Sequence, residues 1–404
     1  TKQYDVIVVG GGPTGTIAAM YLKKAGKDVL LIDKAKFPRD KICGDAQGRK
    51  AAMVMKELGI YEEYKKIPGC PIFGLRLSSP NGTQIDLTMI DRSSGVPGYV
   101  TRRMDFDNFL FQSAKALGIE IMEETAVTKI VHEDKAIREV HCKRGGEEFT
   151  LRAKVYIAAD GAHSMFATEF GQKNPPEHLI VAVRQYWKGV TGLSDMIEIH
   201  LIKDLIPGYF WIFPLPNGEA NVGLGMIIKD MTKKKVNLAD ALKREVTQNP
   251  LFVERFRNAK PLEDVKAWNL PIASHRRKCY GQNVMLIGDA AGLINPLSGE
   301  GVGTGVISAK LAAEVAIEAM EKNDYSEKFI KQYYDRLWEA IGEEIKADYR
   351  IMRLGTRFPF LIDRLINKAK KNPEARKELE SHLPYVSGKA KIGTKEFISN
   401  ILEG

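Results

Sequence analysis

The sequence predicts an α/β chain: a parallel-sheet nucleotide domain, interrupted by a mostly antiparallel sheet and followed by a helical region. Three observations carry that expectation. The opening stretch runs strand, glycine turn, helix, strand. Two later segments repeat a buried apolar strand that ends in Asp160-Gly161 and in Gly288-Asp289. The residues between them change to short alternating strands broken by Pro and Gly.

The elements follow in order. In the strand over 4–9 the run from Val6 to Val9 is continuously apolar, as a parallel strand covered on both faces must be. The spacing predicts a helix over 15–25 and a second strand over 29–32, which completes a βαβ unit. Residues 155–159 and 283–287 read as further parallel strands. Residues 72–99 and 179–230 carry turns such as Pro80-Asn81-Gly82 and Pro216-Asn217-Gly218, the mark of an antiparallel sheet. From 327 to 383 apolar spacing is helical and charge is dense, giving a C-terminal helical appendage. There Tyr333, Tyr334, Trp338 and Met352 read as packing residues rather than lipid contacts. The division this implies is 1–75, 100–178 and 270–320 for the nucleotide domain, 76–99 and 179–269 for the substrate domain, and 321–404 for the helices.

Gly10, Gly12 and Gly15 form the G-x-G-x-x-G spacing of a Rossmann-type unit. Glycines there let backbone amides and a helix N-terminus approach a pyrophosphate. Asp33 ends the second strand, where a carboxylate accepts ribose hydroxyls. These residues ask for a dinucleotide without choosing which. Asp289, followed by Pro296, Gly299, Gly301 and Gly303, makes the choice. A carboxylate there suits a ribityl chain, and closely spaced glycines admit a flat ring, so the cofactor expected is FAD.

The Gly288-Asp289 segment resembles the GD motif of the flavoprotein hydroxylase superfamily, the p-hydroxybenzoate hydroxylase-like group. Asp160-Gly161 with Ser164 resembles its DG motif, although Ala167 stands where the family has an arginine, a departure that argues against the usual pyridine-nucleotide docking. Arg103, Phe106 and Asp107 fit its R-x-x-F-D helix start, which implies a place for Arg103 beside the FAD phosphates or ribityl chain. Val127 falls where the family sets a strand residue against adenine.

Two further segments resemble the geranylgeranyl reductase family. Tyr209, Trp211, Phe213 and Pro214 match its YxWxFP signature, and KICGD, with Cys43 and Gly44, matches its Cys-Gly motif near the flavin. On a strand, alternate residues share a face, so the three aromatics are expected to wall one apolar slot. The resemblance spans roughly residues 4–320. It implies hydride transfer from reduced FAD N5 to one carbon of a prenyl double bond and a proton to the other, with Cys43, Tyr209 or a held water as proton source. The catalytic set implied is Cys43, Tyr209 and Trp211, with Phe213 joining Tyr209 and Trp211 against substrate. The cofactor set is Gly10, Gly12, Thr14, Gly15, Asp33, Lys34, Cys43, Gly44, Ala46, Arg103, Val127, Asp160, Gly161, Gly288, Asp289, Pro296, Gly299, Gly301, Val302 and Gly303.

Composition bounds the partners. The 404 residues carry 60 Lys and Arg against 51 Asp and Glu, a net charge of +9 concentrated in solvated runs such as Lys233–Lys235. A soluble basic surface is the first reading of that excess, and attraction to anionic phosphate or lipid head groups the second. The scattered Cys43, Cys70, Cys142 and Cys279 show neither zinc spacing nor a disulfide framework, so no metal is expected and a cytoplasmic setting is. No apolar run is long enough to span a bilayer, so contact with the inner face of a membrane would be peripheral. Nucleic acid is not an expected partner. The electron donor is NAD(P)H or a ferredoxin, since no second dinucleotide fold is present. Competing readings are a flavin monooxygenase or halogenase on the same scaffold, and a prenyl-lipid-binding flavoprotein without catalysis.

Overall fold

The computed structural model describes residues 2–93, 95–172 and 174–382. β1 (Gln3–Val9) turns into α1 (Pro13–Lys24) and β2 (Val29–Ile32). The chain crosses to β3 (Gly74–Ser78) and β4 (Gln84–Thr88). It returns through α2 (Arg103–Ala116) to β5 (Glu120–Met122), β6 (Thr125–Glu133), β7 (Ala136–Arg144) and β8 (Glu147–Ala158). It then leaves for β9 (Leu179–Lys188), β10 (Met196–His200), β11 (Tyr209–Leu215), β12 (Glu219–Ile227) and β13 (Lys266–Pro271). It comes back as β14 (Val284–Leu286) and α3 (Val302–Lys322), then closes with α4 (Glu327–Arg357), α5 (Pro359–Lys371) and α6 (Pro373–His382).

The first sheet holds β14-β8-β1-β2-β5 in that order, every neighbouring pair parallel. Val6, Ile7 and Val8 of β1 are fully buried because helices cover both faces. α1 packs on α3, whose Ala309, Ala312, Ala313 and Ala316 are small enough to let the helix axes approach. The predicted helix over 15–25 begins earlier, at Pro13, since proline has no N–H to lose in a first turn. The expected strand at 155–159 is the tail of the much longer β8.

The second sheet runs β9-β12-β11-β10-β3-β4, with β13 added to β9. It is antiparallel except for the parallel pair β10 and β3. β11 lies between two cores. Trp211 and Phe213 join Leu75, Ile197 and Ile366 on one face, while Phe210 and Ile212 join Val222, Leu224 and Phe252 on the other.

α4 differs from the appendage expected. Its Phe329, Ile330, Tyr333, Leu337, Trp338, Ile341 and Ile345 belong to the same core as β1 and α1, and the Tyr333 hydroxyl donates to the Leu286 carbonyl at 2.8 Å. Each such side chain contributes roughly 1.5–3 kcal/mol by burial, so α4 is integral to the nucleotide-binding half. The charge density of its outer face disguised that role.

Candidate active site

The glycine turn after β1 is held by steric necessity. A Cβ at Gly15 would lie 1.8 Å from the Gly10 carbonyl oxygen, and Gly10 itself sits at φ 111°, where a side chain is strained. Asp33 braces the turn: its Oδ2 accepts the Gly11 N–H at 2.6 Å and its Oδ1 the Ala35 N–H at 2.7 Å. Each carboxylate oxygen retains a lone pair for a ribose hydroxyl. The Arg39 guanidinium reaches to 3.6 Å from where a Gly12 Cβ would stand, adding positive charge at the N-terminus of α1. Amides, helix dipole and guanidinium together fit a dinucleotide diphosphate.

Thr14 joins this turn to the third segment. A Cβ at Gly288 would come within 2.9 Å of its methyl group, and one at Gly305 within 2.4 Å. Asp160, at the end of β8, accepts the Met165 N–H at 2.8 Å through Oδ2, while Oδ1 is buried without a partner among the described residues. Burial pushes this carboxyl above its ordinary value. An orphaned acceptor next to the glycine turn is what a cofactor hydroxyl would satisfy. The Asp289 carboxylate lies against Gly301, whose Cβ would stand 3.2 Å from Oδ1.

The Arg103 side chain is braced within its own helix. Its Nε and Nη2 donate to Asp107 Oδ1 and Oδ2 at 2.6 and 2.8 Å, and Arg39 Nη1 joins Oδ2 at 2.8 Å. The arginine and aspartate of the R-x-x-F-D pattern are thus one another's i, i+4 partners. Val127 sits on β6 opposite Cys142, two residues after Thr125, whose N–H donates to the Asp33 carbonyl at 2.8 Å. Lys34 is exposed.

Between the sheets lies an apolar cavity of about 950 Å³, its open mouth included. Cys43, Gly44, Ala46, Tyr209, Trp211, Phe213, Gly299, Gly301 and Val302 all line it, so segments far apart in sequence meet here. Leu75, Ile197, Ile199 and Trp268 complete the apolar wall. A second pocket of about 390 Å³ shares Tyr209 and Trp211 with the first and is lined further by Pro296, Leu297 and Met352, which places Met352 at a pocket wall rather than in packing alone. The indole lies across the neighbouring strand because register puts Trp211 opposite Gly223. A Cβ at Gly223 would meet the indole at 2.3 Å.

A buried polar network supports this wall, and sequence reasoning gave it no role. Asn221 Oδ1 accepts the Trp211 indole N–H at 2.9 Å. Its Nδ2 donates to the Cys43 carbonyl at 2.7 Å and to Asp45 Oδ2 at 2.8 Å. Asp45, in the left-handed region at φ 66°, also accepts the Tyr186 hydroxyl at 2.6 Å and the Arg103 N–H at 3.2 Å. Burial lifts its pKa to about 6 despite those donors. Arg184 is buried beside the cavity, its guanidinium 3.9 Å from the centre of the Tyr186 ring and paired with Asp40 and Glu263. The signals were present: Asp45 ends KICGD, and Arg184 interrupts an apolar strand.

Two more titratable groups approach the cavity. The Lys41 ammonium stands 3.9 Å from the centre of the Trp268 ring, and burial lowers its pKa to about 8 against the pull of Asp289. Glu300, a lining residue, keeps a buried Oε1 with no partner among the described residues, and burial raises its pKa. The Tyr209 hydroxyl donates to the Ser298 carbonyl, and burial drives that phenol well above its ordinary value. It is a proton carrier that stays protonated at neutral pH.

Comparison with known proteins accounts for this arrangement. Residues 3–336 match the family described as FAD binding domain, and FAD is the cofactor. The digeranylgeranylglycerophospholipid reductase of Methanosarcina acetivorans is 32% identical over 347 residues, covering 85% of this chain and 82% of that protein. The namesake from Methanocaldococcus jannaschii is 33% identical, covering 83% and 82%. A solved structure described as a geranylgeranyl bacteriochlorophyll reductase-like protein, from Thermoplasma acidophilum, superposes with a TM-score of 0.81 at 26% identity, over 94% of this chain and 99% of that one. A flavin-dependent brominase shares the fold at a TM-score of 0.79 and 22% identity, covering 100% of this chain and 99% of its own. With the glycine cradle and the aromatic-walled cavity on one chain, and a third of its residues identical to such reductases across most of both lengths, this chain belongs to the digeranylgeranylglycerophospholipid reductase family of FAD-binding proteins.

Proposed function

We propose that this chain reduces the carbon–carbon double bonds of geranylgeranyl chains carried on a glycerophospholipid. The observation that carries the reading is the meeting of Cys43, Tyr209, Trp211 and Phe213 with the Gly299–Val302 turn around one apolar cavity. FAD supplies the hydride when reduced. Gly10, Gly12, Thr14, Gly15, Asp33 and Asp160 would hold its dinucleotide part, and Gly44, Asp289, Gly299, Gly301 and Val302 its ring end.

An isolated alkene has no carbonyl to polarise it, so the protein must exclude water and offer electron-rich faces to a developing cation. Trp211 and Tyr209 offer such faces, and the Asn221 hydrogen bond keeps the indole plane in place. Among the residues at the cavity, Tyr209 and Cys43 each carry a transferable proton. In this reading NAD(P)H or a reduced ferredoxin supplies the electrons.

The test is anaerobic. The flavin is reduced with dithionite, geranylgeranyl glycerophospholipids with different head groups are added, and flavin reoxidation is followed together with product mass. Reoxidation with two hydrogens gained per double bond is expected. A flavin that stays reduced with every prenyl lipid offered overturns the reading. Reduction by NAD(P)H or by ferredoxin under the same conditions identifies the donor.

A further inference from the structure

The C-terminal helices carry a surface that alkene reduction does not use. α4 ends at Arg357, Phe358 leaves helical geometry at φ −133° and ψ 70°, and Pro359 starts α5. The two helices therefore meet at an elbow. At its tip Phe358 and Phe360 are 37% and 59% exposed, with ring centres 6.1 Å apart. Apolar rings held in water at a convex corner ask for an apolar phase.

Cations surround that tip. Residues 350–371 contain seven basic side chains and one acidic one, Asp363. Arg350, Arg353 and Arg357 are exposed and recur at helical spacing on one side of α4, and Phe360, Arg364 and Lys371 do so on α5. None of these four arginines pairs with a carboxylate among the described residues. Asp363 accepts the Asn81 N–H at 2.9 Å, an attachment to the body of the protein.

The inner side of the same elbow packs behind the cavity wall. Ile362, Leu365 and Ile366 join the cluster that holds Leu75, Trp211 and Phe213, and Met352 of α4 lines the second pocket. The helices that face outward with rings and cations thus pack inward on the cluster that also holds Trp211 and Phe213.

We infer that the α4–α5 elbow docks on an anionic lipid bilayer, with Phe358 and Phe360 among the acyl chains and the flanking arginines against the phosphates. The docking holds the cavity beside the phase from which its substrate is drawn. An acidic protein partner would answer the arginines but offer the rings no apolar phase. No described helix is long and apolar enough to cross a membrane, so the elbow makes the contact from one side. The cavity's guest rests on the proposed reductase function; the docking rests on the elbow's own residues.

The experiment uses the full-length holoprotein sedimented with phosphatidylcholine vesicles, with and without phosphatidylglycerol. Binding is expected only where phosphatidylglycerol is present, weakening as salt rises. It should fall about tenfold in Phe358→Ser/Phe360→Ser and in Arg353→Glu/Arg357→Glu/Arg364→Glu. Both variants should keep the parent's flavin content and its turnover of detergent-dispersed prenyl lipid. A single Phe358→Trp reporter, which disturbs the fold least, should shift its fluorescence to the blue on vesicle addition. Equal binding to both vesicle types, unchanged binding by both variants, or a Phe358→Trp spectrum indifferent to vesicles overturns the docking. Binding lost as expected, in a protein that reduces no prenyl lipid, sustains the docking and defeats the reductase reading instead.

Discussion

Asn221 accepts the indole N–H of Trp211 at 2.9 Å while its own amide donates to the Cys43 carbonyl at 2.7 Å. One side chain thereby sets both a cavity wall and the loop that carries the thiol. Asn221→Ala leaves the indole N–H and the Asp45 carboxyl without this partner in a buried place. The expected cost is about 2–4 kcal/mol in urea unfolding, with a raised KM for prenyl substrate and flavin still bound. An Asn221→Ala protein as stable as the parent would show that the network is dispensable.

Cys43 and Tyr209 stand on the same cavity, and their variants separate them. If the thiol delivers the proton, Cys43→Ser slows alkene reduction about a hundredfold with flavin reduction unaffected. Tyr209→Phe then costs little beyond the hydrogen bond to Ser298. Single-turnover reoxidation of the reduced flavin, in ordinary and deuterated water, reads the step directly.

Gly15 has no room for a methyl group, since the Gly10 carbonyl oxygen would be 1.8 Å away. Gly15→Ala must open the turn that Asp33 braces, and the protein should purify with most of its flavin missing. Flavin absorbance relative to protein checks it. Retention of full flavin would mean that the turn yields more easily than its geometry implies.

Asp45 gives stability a pH dependence. Its ordinary value is 3.8 and its folded value about 6, raised by burial. Below about pH 4 the group is neutral in both states; between there and about 6 only the unfolded chain ionises, which favours unfolding. Stability should therefore decline as pH rises across that window and level off above it, with Asp45 accounting for a loss on the order of 3 kcal/mol. Asp348, also raised to about 6 by burial, adds a slope of the same sign. Urea midpoints across the window should fall less in Asp45→Asn than in the parent.

Much of the architecture was legible because period and punctuation are local. The continuous apolar run of β1, the glycine spacing after it and the alternation of Tyr209, Trp211 and Phe213 each follow from backbone geometry that a short window displays. What stayed hidden depends on partners distant in sequence. Asp45 looks like one more loop carboxylate until Asn221 and Tyr186 come down on it from β12 and β9. Arg103 is a different case: Asp107 lies a single turn away in the same motif, and only side-chain geometry shows that the guanidinium fork closes on it. α4 was read as an appendage since its charged outer face dominates the sequence, while the face that enters the core is a narrow stripe.

The glycine opposite the indole acts as a ruler. The Trp211 indole fits where it does because Gly223 leaves the neighbouring strand bare beneath it. Any larger residue at 223 would lift the indole into the chamber and shorten the chain it accommodates, although the wall itself would keep its composition. The depth of the chamber beneath the indole is thereby fixed at a backbone position that offers no side chain of its own.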